Sequence, residues 1–408
     1  MTTTVSTLTV LLLVCAVSVG YSVIWRLYFS PLAKFPGPKI AAATLLYEMY
    51  YEIIAGGQYT FKIRDMHETY VFVQTSVRIN PRELYINDPE FYDEVYAGGS
   101  KRRDKWPYLC GQFGTPDLHR LRRTLMNKLF SKANIAKLEP VIESTINGLI
   151  TRLREFQEDI QAKYQAAIDE QNNDKMETSR RIIFHEILSS SLAPEEKTSD
   201  RLMQEGVVLI GAGTETTALA LSVITYYVLA NPEINFKLKA ELVAISHECG
   251  GHPTLVQLEE LRYLGAVTSE GLRLSFGVTA HLQRVSPNQD MIYGDWVIPA
   301  DTPVSMTSLL LHLNPKTFPE PNKFTPERWI ENPRLSKYLI SFSKRSWQCL
   351  GINLAYAELY LCVFNVWMAF PDMKLVETTK SDVEVVADYF VPVASGRGVK
   401  VMMGMNSS

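Results

Sequence analysis

The sequence predicts a mainly α-helical domain with small β-sheets, carried on an N-terminal transmembrane helix. Three observations point there. An uncharged run, "LTVLLLVCAVSVGYSVIW", covers Leu8 to Trp25. Long helical patterns follow, and one of them, Asp200 to Ala230, is apolar nearly all round. Strand signals are short and gathered in two places. They do not alternate with helices, which argues against a doubly wound sheet. With 408 residues, 46% of them hydrophobic, the chain has enough apolar surface for a large core.

Composition excludes several classes. A net charge of -3 and a pI near 6.2 give no basic excess for nucleic acid. The five cysteines are odd in number and scattered, with no CxxC pair, so neither a disulfide framework nor a zinc ribbon is expected.

Residues 1–25 read as a membrane signal anchor. Eighteen uncharged residues nearly cross a hydrocarbon core of about 30 Å at about 1.5 Å per residue. The positive charges (Arg26, Lys34, Lys39) follow the run, whereas a cleaved signal peptide wants them before it. That placement keeps the bulk of the chain cytosolic. Residues 26–40 form a hinge, because Pro31, Pro36 and Pro38 fix backbone angles and cannot continue the helix. Residues 41–408 make the main domain.

Within it, "YVFVQTSVRINPRELYIND" (Tyr70 to Asp88) reads as two strands around Asn80-Pro81. Helical pattern runs from Leu118 to Glu155, and the polar stretch Glu158 to Arg181 reads as a solvated helix or connector. Asp200 is a cap for the long central helix, and Asn231-Pro232 ends it. An all-round apolar helix belongs in the middle of a domain; Glu215 argues against a second membrane span, since a carboxylate in lipid is costly. Helices over Pro232 to Ser246, Leu264 to Leu274 and Leu350 to Phe370 complete the prediction, with a β-rich stretch at "MIYGDWVIPADTPVSM".

Four segments carry chemistry. "FSKRSWQCLG" sets Cys349 before the last helix, where free N–H groups favour a thiolate, and Gly351 lets a flat ligand approach. Such a thiolate suits haem iron. A buried structural cysteine is the alternative. "AGTETT" puts Gly213 inside a helix, at a cost of about 1 kcal/mol relative to Ala, beside Glu215 and Thr216. That arrangement suits proton delivery at a cofactor face; a kinked helix with a satisfied carboxylate is the alternative. "SEGLRL" sets Glu270 and Arg273 three residues apart, and "FTPERW" adds Arg328. A buried Glu270 shared by two arginines would be a structural clamp, with high cost if one partner is lost.

Taken in this order, AGTETT, the E-x-x-R of Glu270 and Arg273, the P-E-R-W around Arg328, and F-x-x-x-x-x-x-C-x-G at Phe342, Cys349 and Gly351 resemble the cytochrome P-450 superfamily of haem-thiolate monooxygenases. The resemblance covers nearly the whole chain and looks most like filamentous-fungal microsomal members that oxidise terpenoids and related secondary metabolites. It implies Cys349 as axial iron ligand, with Phe342, Gly351 and Gly213 against the haem. It implies Thr216 and Glu215 handling protons during O–O cleavage, and Glu270, Arg273 and Arg328 locking the core behind the haem. His119 and Arg123 of "HRLRR" would reach the haem propionates, as would Arg284. The expected partners are a hydrophobic small molecule, O2, the endoplasmic reticulum membrane and an NADPH-dependent flavoprotein reductase, with no nucleic acid.

The chain departs from that pattern in three ways. Arg345 stands where the family usually has glycine, and Trp347 where it has a propionate-binding basic residue. Both are expected to weaken haem retention. The interval from Arg123 to Gly213 is shorter than the family places there, so part of the distal helical region that roofs the substrate pocket is missing. Two other readings follow: a haem-poor, inactive member of the family, and a haem-thiolate isomerase or dehydratase that needs no O2. The Glu215-Thr216 pair argues against the last.

Overall fold

The structure is a computed structural model. It describes residues 2–70, 76–98, 101–106, 123, 126–127, 130–166 and 193–403. His119 and residues 118–122, 124–125 and 128–129 of the expected helix from Leu118 lie outside these residues.

The N-terminal run forms α1 (Thr2–Ile24) and closes in a π-helical turn, Trp25–Phe29. Its apolar side chains face outward; Leu11, Leu12 and Leu13 are each about 60% exposed. Thr9–Phe29 is long and apolar enough to cross a membrane. The proline hinge is stitched to the domain behind it. Leu32 and Phe35 are buried, and Pro36 O accepts the Arg78 N–H at 2.7 Å. Gly37, at φ +155°, allows this approach, because a Cβ there would meet Arg78 O at 2.4 Å.

The helices that build the core are α2 (Tyr59–Tyr70), α3 (Lys132–Ala166), α4 (Ser199–Ala230), α5 (Pro232–Glu248), α6 (Arg262–Ser275) and α7 (Ile352–Ala369). Asn231 caps α5 by accepting from Ile234 N–H, and Pro232 sits in its first turn, where its missing donor does no harm. Asp200, expected as the cap of α4, lies inside that helix. Ile224, Val228, Leu238, Leu242, Leu264 and Leu361, each fully buried, join α4, α5, α6 and α7 in one core. Gly271 sets the closest crossing: a Cβ there would overlap Ile224 of α4.

The main sheet joins β1 (Ser76–Arg78), β2 (Leu84–Ile86), β3 (Asp104–Lys105), β4 (Arg284–Val285) and β7 (Val304–Ser305) in the order β1-β2-β7-β4-β3. Three two-stranded ribbons complete the β content: β5 (Met291–Tyr293) with β6 (Trp296–Ile298), β8 (Lys374–Leu375) with β11 (Val401–Met402), and β9 (Val385–Tyr389) with β10 (Val391–Ala394). The β2–β7 pairing is parallel; the other pairings are antiparallel.

One expectation fails. The central helix α4 is not buried on every side. Its C-terminal half is core, through Ala220, Val223, Ile224 and Val228, but residues 211–215 are exposed and Val207 and Ile210 reach 67% and 61% exposure. All-round apolarity reports that no face needs water; it does not report that each face has a protein neighbour.

Candidate functional site

Cys349 sits three residues before α7, and its loop is held by a backbone bond from Cys349 N–H to Phe342 O at 2.7 Å. The Phe342 ring leans on Tyr356 of α7, with centroids 5.4 Å apart. Cys349 as a residue is exposed, while its sulfur is surrounded by protein. Burial by the surrounding protein pushes its pKa up, and the Gly351 N–H and the Arg123 guanidinium pull it back. The helix start therefore contributes a donor to the sulfur without making Cys349 a free thiolate, contrary to the sequence expectation. Arg123 is half-buried, and burial lowers its pKa.

On α4, Thr216 Oγ1 donates to Ala212 O at 2.8 Å, one turn back. Glu215 is exposed. A Cβ added to Gly213 would meet nothing within 4 Å. No neighbour among the described residues would meet a side chain at this helix-weakening glycine. Thr217, the next residue, hydrogen-bonds Glu358 of α7, whose carboxyl is raised by burial. The sequence alone gave no reason to single out Glu358.

Glu270 is fully buried and meets both arginines. Arg273 donates from Nε and Nη2 to its two oxygens, each at 2.8 Å, and Arg328 Nε donates to Oε1 at 3.2 Å. Two further donors were not expected: Trp329 Nε1 at 2.9 Å and the Thr325 N–H at 2.9 Å. Arg273 also binds the carbonyls of His312, Pro321 and Lys323. His312 in turn bridges Arg273 O and the Ile340 N–H, each at 3.0 Å, and so links α6 to the segment that leads into the Cys349 loop.

Arg345 adopts φ +58°, the left-handed region that favours glycine. Trp347 is buried; its Nε1 donates to Arg103 O at 3.0 Å. Its ring lies between Lys105 Nζ, 4.6 Å from the centroid, and the Arg284 guanidinium at 5.6 Å. Arg284 also stacks on Tyr96 and donates to the Leu282 and Gln283 carbonyls. The indole thus gathers the cations that a basic residue at this position would repel.

The sequence profile described as Cytochrome P450 matches residues 116–379. The chain belongs to the cytochrome P450 family. Among curated proteins, cytochrome P450 monooxygenase tpcC of Cochliobolus heterostrophus is 36% identical, over 93% of this chain and 94% of its own length. Cytochrome P450 monooxygenase astB of Talaromyces wortmannii is 37% identical, over 92% and 94%. Stellatic acid synthase of Emericella variicolor is 33% identical, over 93% and 92%. The first of these alignments spans 496 positions, more than the 408 residues present here, so that relative carries segments with no counterpart in this chain. This P450 is a monooxygenase-type oxidoreductase by its relatives, and its family implies a haem cofactor, a small-molecule substrate and O2.

The residues present fit a haem: a cysteine sulfur with a backbone donor, a cation near it, and open space beside Gly213. Arg345 and Trp347 are the misfits.

Proposed function

We propose that the protein is a membrane-anchored haem monooxygenase that oxidises a hydrophobic small molecule of fungal secondary metabolism, such as a terpenoid. Electrons would come from NADPH through a flavoprotein reductase at the endoplasmic reticulum membrane. The Cys349 sulfur, held by its own loop before α7, carries this reading. The apolar helix Thr9–Phe29 supports single-pass anchoring.

Haem bound through Cys349 would supply O2 binding and the oxidising power for oxygen insertion. The chain's own residues do the rest. Gly351 N–H tempers the charge on the sulfur. Arg123 offers a cation to an acidic cofactor edge, and Arg284 would do so only by leaving its ring contacts. Gly213 leaves room on α4. Thr216 swings its hydroxyl from Ala212 O toward the ligand side, and Glu215, open to water, exchanges protons with solvent. The Glu270 clamp fixes α6 against the segments around Arg328 and, through His312, the approach to Cys349.

A second reading, a haem-poor and inactive member of the family, is favoured by the indole of Trp347 among the cations. Haem per chain and the reduced carbon monoxide difference spectrum separate the two. The thiolate-type band should appear in wild type and vanish in Cys349→Ala. Thr216→Ala should keep the band and lower product per NADPH consumed. No band at any haem supply would leave the inactive reading standing.

A further inference from the structure

The base of α1 carries positive charge that the protein does not balance. No Asp or Glu precedes Glu48 in the chain, whereas Arg26, Lys34 and Lys39 all lie in that stretch. Glu48 itself is committed elsewhere. It accepts from Asn80 Nδ2 at 2.9 Å and lies 3.9 Å from His281 Nε2. Against the cost of burial, Glu83, Glu48 and Glu52 raise His281 to about 9, so the carboxylates of this region already serve an imidazolium.

A fourth cation stands behind the first. Arg78, at the end of β1, is 2% exposed and donates from Nη1 and Nη2 to two carbonyls, Arg26 O and Pro81 O, each at 2.8 Å. Its Nε has no hydrogen-bond partner. Burial, and after it the Arg26 guanidinium, lower its pKa to about 10, which leaves it charged at neutral pH. Among the described residues no carboxylate pairs with Arg26, Lys34, Lys39 or Arg78. A buried guanidinium without a counter-charge is costly, and an anion held nearby reduces that cost.

Arg26 is the cation placed to meet one. It stands in the π-helical turn Trp25–Phe29, at the end of the apolar stretch Thr9–Phe29, and is half-buried. Its Nη1 donates to Ala43 O at 2.8 Å, which ties the turn to the short helix Lys39–Ala43 and fixes the guanidinium. The edge formed by Nε and Nη2 makes no hydrogen bond among the described residues. That edge is the one that holds a phosphate through two parallel bonds. Trp25, Tyr28 and Phe29 around it are exposed, the disposition of aromatic residues at the level of lipid headgroups. Lys34 is drawn aside, its Nζ 5.5 Å from the Phe35 ring centroid and 6.0 Å from that of Trp296.

We propose that Arg26 binds the phosphate of an anionic phospholipid headgroup, and that the buried charge of Arg78 behind it selects against zwitterionic lipid. A phosphatidylcholine headgroup brings its own cation to a place that already holds two. An anionic headgroup brings net negative charge that offsets both. Arg78 does not touch the lipid; its field crosses protein, where screening is weak. Lys34 and Lys39 add diffuse attraction only. The inference rests on the anchored reading of Thr9–Phe29 and takes nothing from the oxygenation chemistry.

The test uses Trp25, next to Arg26 in the chain, as reporter. Full-length protein is placed in phosphatidylcholine nanodiscs in which a fixed minor fraction of the lipid is brominated, either as phosphatidylcholine or as phosphatidylserine. Bromine quenching of indole fluorescence is then measured at matched haem content, and Trp25→Phe supplies the signal of the remaining tryptophans. Phosphatidylserine should show a binding constant about fivefold above that of phosphatidylcholine, the ratio that one interfacial cation gives. Arg26→Gln should bring the two lipids within about twofold, Arg26→Lys should keep part of the preference, and Lys34→Gln with Lys39→Gln should keep most of it. Inorganic phosphate should leave the preference unchanged; displacement by it would assign the Arg26 edge to a soluble anion and overturn the lipid reading. Equal quenching by the two lipids in wild type would also overturn it. So would a preference that survives Arg26→Gln, or one lost in the lysine double variant, which is diffuse attraction by the hinge. Absence of quenching by either lipid would refute the anchor itself, and the proposal with it. If Arg26→Gln does not fold, the wild-type ratio and Arg26→Lys decide.

Discussion

Replacing Arg345 by glycine isolates one of the two misfits in the Cys349 loop. Arg345 holds φ +58° in a tight turn whose Gln348 N–H returns to Arg345 O at 3.0 Å. Its side chain is exposed and makes no hydrogen bond or ion pair among the described residues, so the substitution removes no compensating contact. An L-residue in the left-handed region costs roughly 1–2 kcal/mol. Glycine avoids that cost but adds about 0.5–1 kcal/mol of chain entropy to the unfolded state. The net expectation is a gain of about 0.5–1 kcal/mol. Left-handed strain belongs to the folded backbone, so its relief is expected first in folding stability. The sequence-based expectation that Arg345 weakens haem retention is put to the test by the same variant. The assay is urea unfolding of Arg345→Gly and wild type, followed by haem titration of both. The midpoint should rise while haem affinity stays within about threefold. An unchanged or lower midpoint would show that the turn carries no strain; a large rise in affinity would show that the loop reorganises when haem binds.

Three further outcomes follow from the same geometry. Trp347→Arg removes two cation–π contacts of about 0.5–2 kcal/mol each and places a third cation beside Lys105 and Arg284. Haem-free protein should lose about 2 kcal/mol, and haem should restore more stability than it does in wild type; equal haem-free melting would refute this. Glu270→Gln leaves Arg273 buried without its counter-charge, an expected loss of about 3–5 kcal/mol, seen as insoluble expression; a soluble, haem-loaded variant would show that the three carbonyls and the remaining amide oxygen suffice for Arg273. His281 has a folded pKa of about 9, above its ordinary 6.5, so the folded state holds the proton more tightly. Its contribution is fully present below pH 6.5 and is lost as pH rises toward 9, on the order of 3 kcal/mol across that window. The urea midpoint should fall from pH 7 to 9 in wild type and flatten in His281→Gln; parallel limbs would place the pH dependence elsewhere.

The sequence by itself determined the family and much of the architecture. The order of the motifs, through the family they resemble, set Cys349, Gly213, Thr216, Glu270, Arg273 and Arg328 apart; by local rules only the glycine in a helix and the carboxylate among apolar residues stood out. Periodicity and the Asn231-Pro232 stop placed the helices, because those signals act within a few residues. Only the tertiary structure decided what surrounds each group. It showed Trp329 and Thr325 completing the Glu270 site, His312 bridging Arg273 and Ile340, and Trp347 gathering Lys105 and Arg284 instead of merely vacating a cation's place. It left residues 206–215 of α4 partly or fully exposed, where apolarity alone had placed them in the core. It also brought Glu52, His281, Gln283 and Phe390 around one cavity from segments more than two hundred residues apart. Burial and partnership are properties of neighbours distant in the chain, and a charge's cost is fixed by those neighbours, not by the residues beside it in sequence.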